Sequence, residues 1–81
     1  MKVEVKFFAL AQQQAGRESL EMELAESATV ADLRRQIASS IPELADLLDH
    51  TMIAVNHKYV ANEEILSDGA EVAIIPPVSG G

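Results

Sequence analysis

Two stretches near the start of the chain alternate between apolar and polar residues. The alternation covers residues 2–9 and returns in residues 19–24. A period of two is typical of a strand with one buried face, so these stretches predict a β-hairpin. The buried face is assigned to Val3, Val5, Phe7, Ala9, Leu20, Met22 and Leu24. A polar turn is expected at Gln12, Gln13, Gln14 and Gly16. Ion pairs across the hairpin are expected among Lys2, Lys6, Glu21 and Glu23.

A different spacing follows in the next segment and predicts one amphipathic helix. Its apolar residues recur every three or four positions, at Val30, Leu33, Ile37 and Ile41. Thr29 is expected to be the N-cap, because its hydroxyl can accept a hydrogen bond from a free amide of the first turn. Asp32, three residues later, completes a variant of the capping box.

The second half of the chain predicts a short helix and three strands. Pro42 ends the main helix, and a short second helix has its apolar side at Leu44, Leu47 and Leu48. Strands are expected over residues 53–55, 58–61 and 71–75. Tight turns are expected at Asn56-His57 and at Asp68-Gly69. Pro76-Pro77 stops the ladder pairing of the last strand.

The order of these elements predicts an α+β fold of the β-grasp, or ubiquitin-like, type. A mixed sheet of about five strands is covered by one main helix plus a short helix. Residues 1–78 form the single domain, and residues 79–81 form a flexible tail of Ser79, Gly80 and Gly81. The core is expected to hold Val3, Val5, Phe7, Leu20, Met22, Leu33, Ile37, Val55, Val72 and Ile74.

Composition narrows the classes of function. The 81 residues suffice for one small domain, and a net charge of −7 disfavours nucleic acid and anionic membranes as partners. A partner with a basic face is favoured instead. Without cysteine there is no disulfide, thiolate metal site or cysteine nucleophile, and two distant histidines do not predict a metal site. A cytoplasmic protein is expected, since the chain shows neither a signal peptide nor a membrane span.

The closing residues carry the candidate chemistry. Gly80 and Gly81 have no Cβ, so they can thread a narrow channel into a partner's active site, and Pro76-Pro77 stiffens the approach. The Gly81 carboxylate is then the group at the tip. A carboxylate is a poor electrophile, so an ATP-using partner would first convert it to an acyl-adenylate. Attack by a sulfur donor would leave a thiocarboxylate.

Several short runs resemble a known family. The chain is similar to the small subunit of molybdopterin synthase, the MoaD-type sulfur carriers, over essentially its whole length. The matching runs are Val5-Lys6-Phe7-Phe8-Ala9, Ala54-Val55-Asn56, Asp68-Gly69, Glu71-Val72-Ala73 and Pro76-Pro77-Val78-Ser79-Gly80-Gly81. The family's Arg-Glu pair after the first strand is replaced here by Gln12 and Gln13.

The resemblance implies a set of partners and a reaction. A MoeB-like enzyme adenylates Gly81 with ATP, and a sulfur donor supplies the thiocarboxylate. The tail then enters a large, MoaE-like catalytic subunit and gives sulfur to cyclic pyranopterin monophosphate, which builds the molybdopterin dithiolene. Each dithiolene needs two carriers, so a heterotetramer of two small and two large subunits is expected. We expect this chain to bind no cofactor and to catalyse nothing by itself.

One exposed aromatic residue predicts where the partner binds. Phe8 lies on the polar face of the first strand, where it should meet Ile75 on the open side of the sheet. The expected partner interface is Phe8, Ile75, Pro76, Pro77 and Val78. Arg17, Arg34 and Arg35 are interpreted as surface residues. Three alternatives stay open: a thiamine-pathway sulfur carrier, a ubiquitin-like protein modifier, and a plain interaction domain with an inert tail.

Overall fold

A five-stranded sheet with three α-helices forms the part of the chain that the computed structural model describes, residues 1–77. The 3-10 turn Pro42–Leu44 leads directly into the third helix. In chain order the elements are β1 (Lys2–Phe7), α1 (Ala9–Ala15), β2 (Ser19–Glu23), α2 (Val30–Ser40), α3 (Ala45–Leu48), β3 (Met52–Val55), β4 (Lys58–Tyr59) and β5 (Glu71–Ile75).

The sheet has the strand order β2-β1-β5-β3-β4. β1 pairs in parallel with β5, and the other neighbours are antiparallel, which confirms the predicted mixed sheet of five strands. The first and last strands therefore lie side by side in the middle of the sheet. This register places Lys6 opposite Ala73 and Phe7 opposite Ile74.

Helix α2 covers one face of the sheet and begins as the sequence predicts. Thr29 Oγ1 accepts a hydrogen bond from the Asp32 amide at 3.2 Å, and Asp32 Oδ2 accepts one from the Thr29 amide at 2.9 Å. Together they form a complete capping box. The hydrogen bond from the Thr29 amide, with the one between the Thr29 side chain and Asp32, holds the pKa of Asp32 below its usual value.

The space between α2 and the sheet is the core, and most of the predicted core residues fill it. Leu20 and Val55 are only partly buried, because each sits near the margin of the helix-covered face. The short segment after Pro42 also packs inward, as predicted, through Leu44 and Leu48. The predicted residues that are buried are Val3, Val5, Phe7, Met22, Leu33, Ile37, Val72 and Ile74.

The polar turn predicted after the first strand is wrong, because that segment is helix α1. β1 ends at Phe7, and Ala9, which was assigned to the buried face, is exposed with a positive φ of 51°. The change of backbone direction turns the next residues into a helix, and Ala11 becomes its buried contact. Gly16 ends α1 in the left-handed region at φ 73°, as expected of a C-cap glycine.

Arg34 is also misassigned by the sequence, since it is a half-buried structural residue. Its guanidinium donates to Thr51 O at 3.0 Å, to Thr51 Oγ1 at 3.1 Å and to Asn62 Oδ1 at 2.8 Å. Burial lowers the pKa of Arg34 from its usual value. Arg34 therefore links α2 to the segments on either side of β3 and β4. Arg17 and Arg35 are exposed, as predicted.

The third and fourth strands form a short hairpin. Asn56 and His57 both have positive φ, at 49° and 72°, which confirms the predicted tight turn. β4 is only two residues long, so the return strand predicted over residues 58–61 stops at Tyr59. Asp68 and Gly69 form the other predicted turn, and Asp68 Oδ1 accepts a hydrogen bond from the Lys2 amide at 2.8 Å.

Candidate functional site

The face of the sheet opposite α2 contains a shallow, largely apolar depression of about 440 Å³. Helices cover the other face of the sheet, whereas this face is open. We call this feature the docking depression. Its lining residues are Lys6, Phe8, Ala54, His57, Tyr59, Glu71, Ala73 and Ile75.

The floor of the docking depression consists of two alanines in neighbouring strands. Ala73 of β5 pairs with Ala54 of β3. Lys6 extends the same row on one side and Tyr59 on the other, because Lys6 pairs with Ala73 and Ala54 pairs with Tyr59. Small side chains in the middle of a row and long ones at its ends leave a hollow between them.

One wall is apolar. Phe8 is 47% exposed, and Ile75 is half-buried beside it. The Phe8 amide donates to the carbonyl of Ile74 at 3.3 Å, so the chain still follows β5 at this point. The prediction that Phe8 and Ile75 meet on the open side of the sheet is thus confirmed. Their role as a partner interface stays a prediction.

A second wall is charged and is organised around Glu71. Its carboxylate lies 2.6 Å from Lys6 Nζ through Oε1 and 3.3 Å from His57 Nε2 through Oε2. The hydrogen bond with Lys6 holds the pKa of Glu71 below its usual value and raises the pKa of Lys6. The pairing expected between Lys6 and the glutamates of β2 is therefore wrong, because parallel β5 brings Glu71 closer. Lys2 does reach Glu21, at 3.8 Å.

The far end of the docking depression is formed by residues that the sequence did not predict. Tyr59 is 64% exposed on the edge strand β4, and the turn residue His57 stands beside it. A signal for Tyr59 was present in the sequence. A two-residue turn at Asn56-His57 makes Ala54 face Tyr59, and such cross-strand partners point to the same face of a sheet.

The root of the predicted tail lies next to the apolar wall. β5 ends at Ile75; Pro76 is buried and Pro77 is exposed. Pro76 therefore packs against its own chain, which leaves Pro77 as the accessible one of the two. The predictions for Val78, Ser79, Gly80 and Gly81, and the domain boundary at residue 78, fall outside the described residues.

Residues 1–77 hold no group of three or more histidine, cysteine, aspartate or glutamate side chains that could bind a metal ion. The helices in the same range are all too short or too polar to cross a membrane.

Solved structures with the same architecture define the class of protein. The crystal structure of SAMP1 from Haloferax volcanii matches with a TM-score of 0.90 at 29% identity over 100% of both chains. The putative molybdopterin converting factor subunit 1 from Pyrococcus furiosus matches with a TM-score of 0.89 at 38% identity, over 96% of this chain and 99% of that one. The domain is a ubiquitin-like β-grasp, as the sequence predicts.

Sequence similarity then identifies the family. The model of the ThiS family matches residues 5–81, and the chain belongs to this family. The molybdopterin synthase sulfur carrier subunit of Chlamydomonas reinhardtii is 40% identical over 100% of both chains. A chain in a protein–protein complex of subunits 1 and 2 of the molybdopterin-converting factor from Helicobacter pylori is 28% identical, with a TM-score of 0.73 over 100% of both chains.

Proposed function

We propose that this chain is the sulfur-carrier subunit of a molybdopterin synthase. The observation that carries the proposal is the similarity, over the full chain, to a relative named for that function. The family match also extends through Gly81, the residue to which we assign the chemistry. The docking depression supports the proposal, because it lies at the end of β5, beside the root of the tail.

The proposed chemistry replaces one oxygen of the Gly81 carboxylate by sulfur. An activating enzyme of the MoeB type joins the carboxylate to the phosphate of AMP and releases pyrophosphate from ATP. Sulfide released by a donor then attacks the acyl carbon and AMP leaves, so that a C–S bond replaces the acyl C–O bond to AMP. In the synthase the thiocarboxylate sulfur forms a bond to a carbon of cyclic pyranopterin monophosphate and displaces an oxygen substituent. Water then hydrolyses the acyl–sulfur bond, which leaves the sulfur on the product and restores the carboxylate. Ser79 and Gly80 form the segment that leads to Gly81. Both residues are small, and glycine has no Cβ, so this segment suits a narrow channel in the partner.

We propose that the large synthase subunit docks on the open face of the sheet. Phe8, Ile75 and Pro77 supply apolar area beside the root of the tail. Val78, the next residue in the sequence, is also apolar and belongs to the proposed interface. Pro76 contributes by stiffening the root. The complex named in the Helicobacter pylori structure supports a partner of this kind. Two small and two large subunits suit a product that needs two sulfur atoms. Because activation consumes ATP, we place the reaction in the cytoplasm.

Intact mass spectrometry tests the chemistry. The chain is incubated with ATP, a MoeB-like enzyme and a sulfur source, and its mass should rise by the difference between sulfur and oxygen. Fragmentation should locate the change at Gly81. Gly81→Val should keep the same unfolding temperature and lose the mass gain, because branching at Cβ crowds both the channel and the carbonyl. Sulfur located at any other residue would refute the proposal.

A titration with the large subunit tests the docking surface separately. Phe8→Ala should weaken binding, because the side chain loses the apolar area that it buries against the partner. Glu26→Ala is a suitable control, since Glu26 is an exposed residue outside the docking depression. Equal affinities of the Phe8 variant and the unmodified chain would remove the docking surface from the proposal.

A second function is favoured by one of the structural matches. SAMP1 is a small archaeal modifier protein, and its structure is closely similar to this one. A modifier would use the same activated Gly81 to acylate lysine amines on other proteins. Isopeptide-linked conjugates recovered from cells that express a tagged chain would support it. A chain that gains sulfur and forms no conjugates is a carrier alone.

A further inference from the structure

We infer that Asn56 is a positioning residue for the docking depression, because it clamps the β3–β4 turn to β5 and so fixes the far end of the depression, where His57 and Tyr59 lie. The inference rests on the proposed function, in which this depression receives the large subunit. It assigns a role to a residue that does not line the depression itself.

The clamp consists of two hydrogen bonds between Asn56 and the backbone of Glu71. The Asn56 amide donates to the Glu71 carbonyl at 2.8 Å, and the Glu71 amide donates to Asn56 Oδ1 at 3.0 Å. In a continued antiparallel ladder the second bond would go to a backbone carbonyl. Here the side chain of Asn56 takes over that acceptor role, so the pairing of β3 with β5 continues one residue beyond Val55.

The far end of the docking depression depends on this turn, because β4 has little support of its own. It pairs with β3 at only two positions, Ala54 with Tyr59 and Val55 with Lys58. Beyond it, the Val60 amide donates to the Ile53 carbonyl at 3.1 Å. In a hairpin the turn sets the register, and a slip by one residue would move Tyr59 to the other face of the sheet.

The conformation of the turn explains why asparagine suits this position. Asn56 and His57 both lie at positive φ, which asparagine tolerates better than most residues. The side chain thus serves both the turn and the clamp. Glu71 adds a third link, because its carboxylate reaches His57 Nε2 at 3.3 Å. Glu71 therefore contacts the turn in two ways, through its backbone at Asn56 and through its carboxylate at His57.

Three substitutions of Asn56 separate these contributions. Asn56→Gly keeps the positive φ and removes the acceptor, whereas Asn56→Ala removes both. Asn56→Asp keeps an acceptor oxygen and a tolerance of positive φ, so it is the rescuing variant. Asn62→Ala is the matched control. Asn62 also makes one side-chain hydrogen bond, to Arg34 at 2.8 Å, but lies outside the docking depression.

Binding is measured by titration with the large molybdopterin synthase subunit of the same organism, at high salt so that the charge of the Asp variant is screened. Asn56→Gly should raise the Kd about three- to tenfold, the effect of one ordinary hydrogen bond. Asn56→Ala should raise it at least as much. Asn56→Asp and Asn62→Ala should bind like the unmodified chain. Thermal unfolding checks that all four variants fold.

A double-mutant cycle distinguishes positioning from general weakening. If Asn56 acts through Tyr59, Asn56→Gly should change the Kd less than about twofold when Tyr59→Ala is already present. An undiminished effect in that background would overturn the inference. So would unchanged binding of Asn56→Gly, or an equal loss in Asn62→Ala.

The isolated chain provides a readout that does not involve the partner. NMR contacts between the Tyr59 ring and Ala54 should weaken in Asn56→Gly and persist in Asn62→Ala. Failure of the unmodified chain to bind the large subunit would contradict the proposed function, while these contacts would still decide whether Asn56 positions Tyr59. Unchanged contacts in Asn56→Gly would overturn the inference alone.

Discussion

Leu33, in the first turn of α2, is fully buried against the sheet. Truncating it to alanine removes apolar contacts that the neighbouring side chains cannot all replace. We expect Leu33→Ala to lower the free energy of unfolding by about 2–5 kcal/mol. Urea denaturation followed by circular dichroism measures the change. Ile65→Ala is the control, because Ile65 is exposed and its truncation should change the unfolding free energy by less than about 0.5 kcal/mol.

Glu71 predicts how stability responds to acid. Its pKa is lowered in the folded chain, chiefly by the hydrogen bond with Lys6. A group with a lowered pKa stabilises the fold above its unfolded pKa, and this stabilisation is lost as the pH falls through the folded pKa. The unfolding free energy should therefore decrease on acidification from the ordinary glutamate pKa of 4.5 downwards.

Glu71→Gln tests that prediction, because glutamine has a similar shape and does not titrate in this range. The variant should lose part of the acid dependence of the unfolding temperature. Asp32 also has a lowered pKa, so some acid dependence remains. Glu18→Gln, at an exposed position outside the pair, is the control. An identical pH profile for Glu71→Gln and the unmodified chain would contradict the role of the ion pair.

The structural role of a single residue was predictable from the sequence where its partners are close to it in the chain. The cap at Thr29 and the turn at Asn56-His57 involve neighbours within three residues, so their chemistry is visible in the sequence. Arg34 bonds across 17 residues to Thr51 and across 28 to Asn62. Nothing adjacent to Arg34 indicates those partners, so its structural role emerged only from the fold.

Among the elements, α1 shows how a local pattern can mislead. The alternation of β1 continues by chance through Ala9, and three glutamines resemble a polar turn. Alanine and glutamine are also good helix formers. The left-handed Ala9 breaks the strand, and packing of Ala11 then selects the helix. The helix is thus selected by tertiary packing, which is why the local sequence pattern did not reveal it.

The alanine floor between β3 and β5 allows a test of the shape of the docking depression. Ala73 forms part of the floor, so Ala73→Leu should fill the hollow and keep the partner from seating. We expect binding of the large subunit to weaken by about 1–3 kcal/mol, the usual cost of overpacking a fitted contact. Ala45→Leu places the same added volume on an exposed position of α3, outside the docking depression, and should bind normally. Tight binding by the Ala73 variant would mean that the partner does not enter the hollow.

At the scale of the whole molecule, charge determines how the chain meets its partner. The net charge of −7 favours encounter with a basic surface. We expect the association rate with the large subunit to fall as salt rises, while the dissociation rate changes little. Stopped-flow measurements at several salt concentrations separate the two. Phe8→Ala should instead raise the dissociation rate and leave the salt dependence of the association rate unchanged.

The architecture was predictable because the helix and the strands have distinct periods and sharp turn signals. The site was predictable only in part. Phe8 and Ile75 followed from the alternation of the first and last predicted strands, whereas the alanine floor and Tyr59 depend on the register among four strands. Register is a property of the assembled sheet. The chemistry at Gly81 was inferred from the tail residues and the family resemblance, since the described structure ends at residue 77.

The central position of β5 has a consequence for biosynthesis. A ribosome delivers β1 and β3 well before β5, yet both must pair with it. Until residue 75 emerges, the nascent chain has two unpaired strand edges and no central strand, and such intermediates are the ones that chaperones and proteases recognise. A product of premature termination before Glu71 would lack Ala73 of the floor, Ile75 of the apolar wall and Glu71 of the charged wall. Translation itself thus ensures that only chains carrying β5 can compete for the partner.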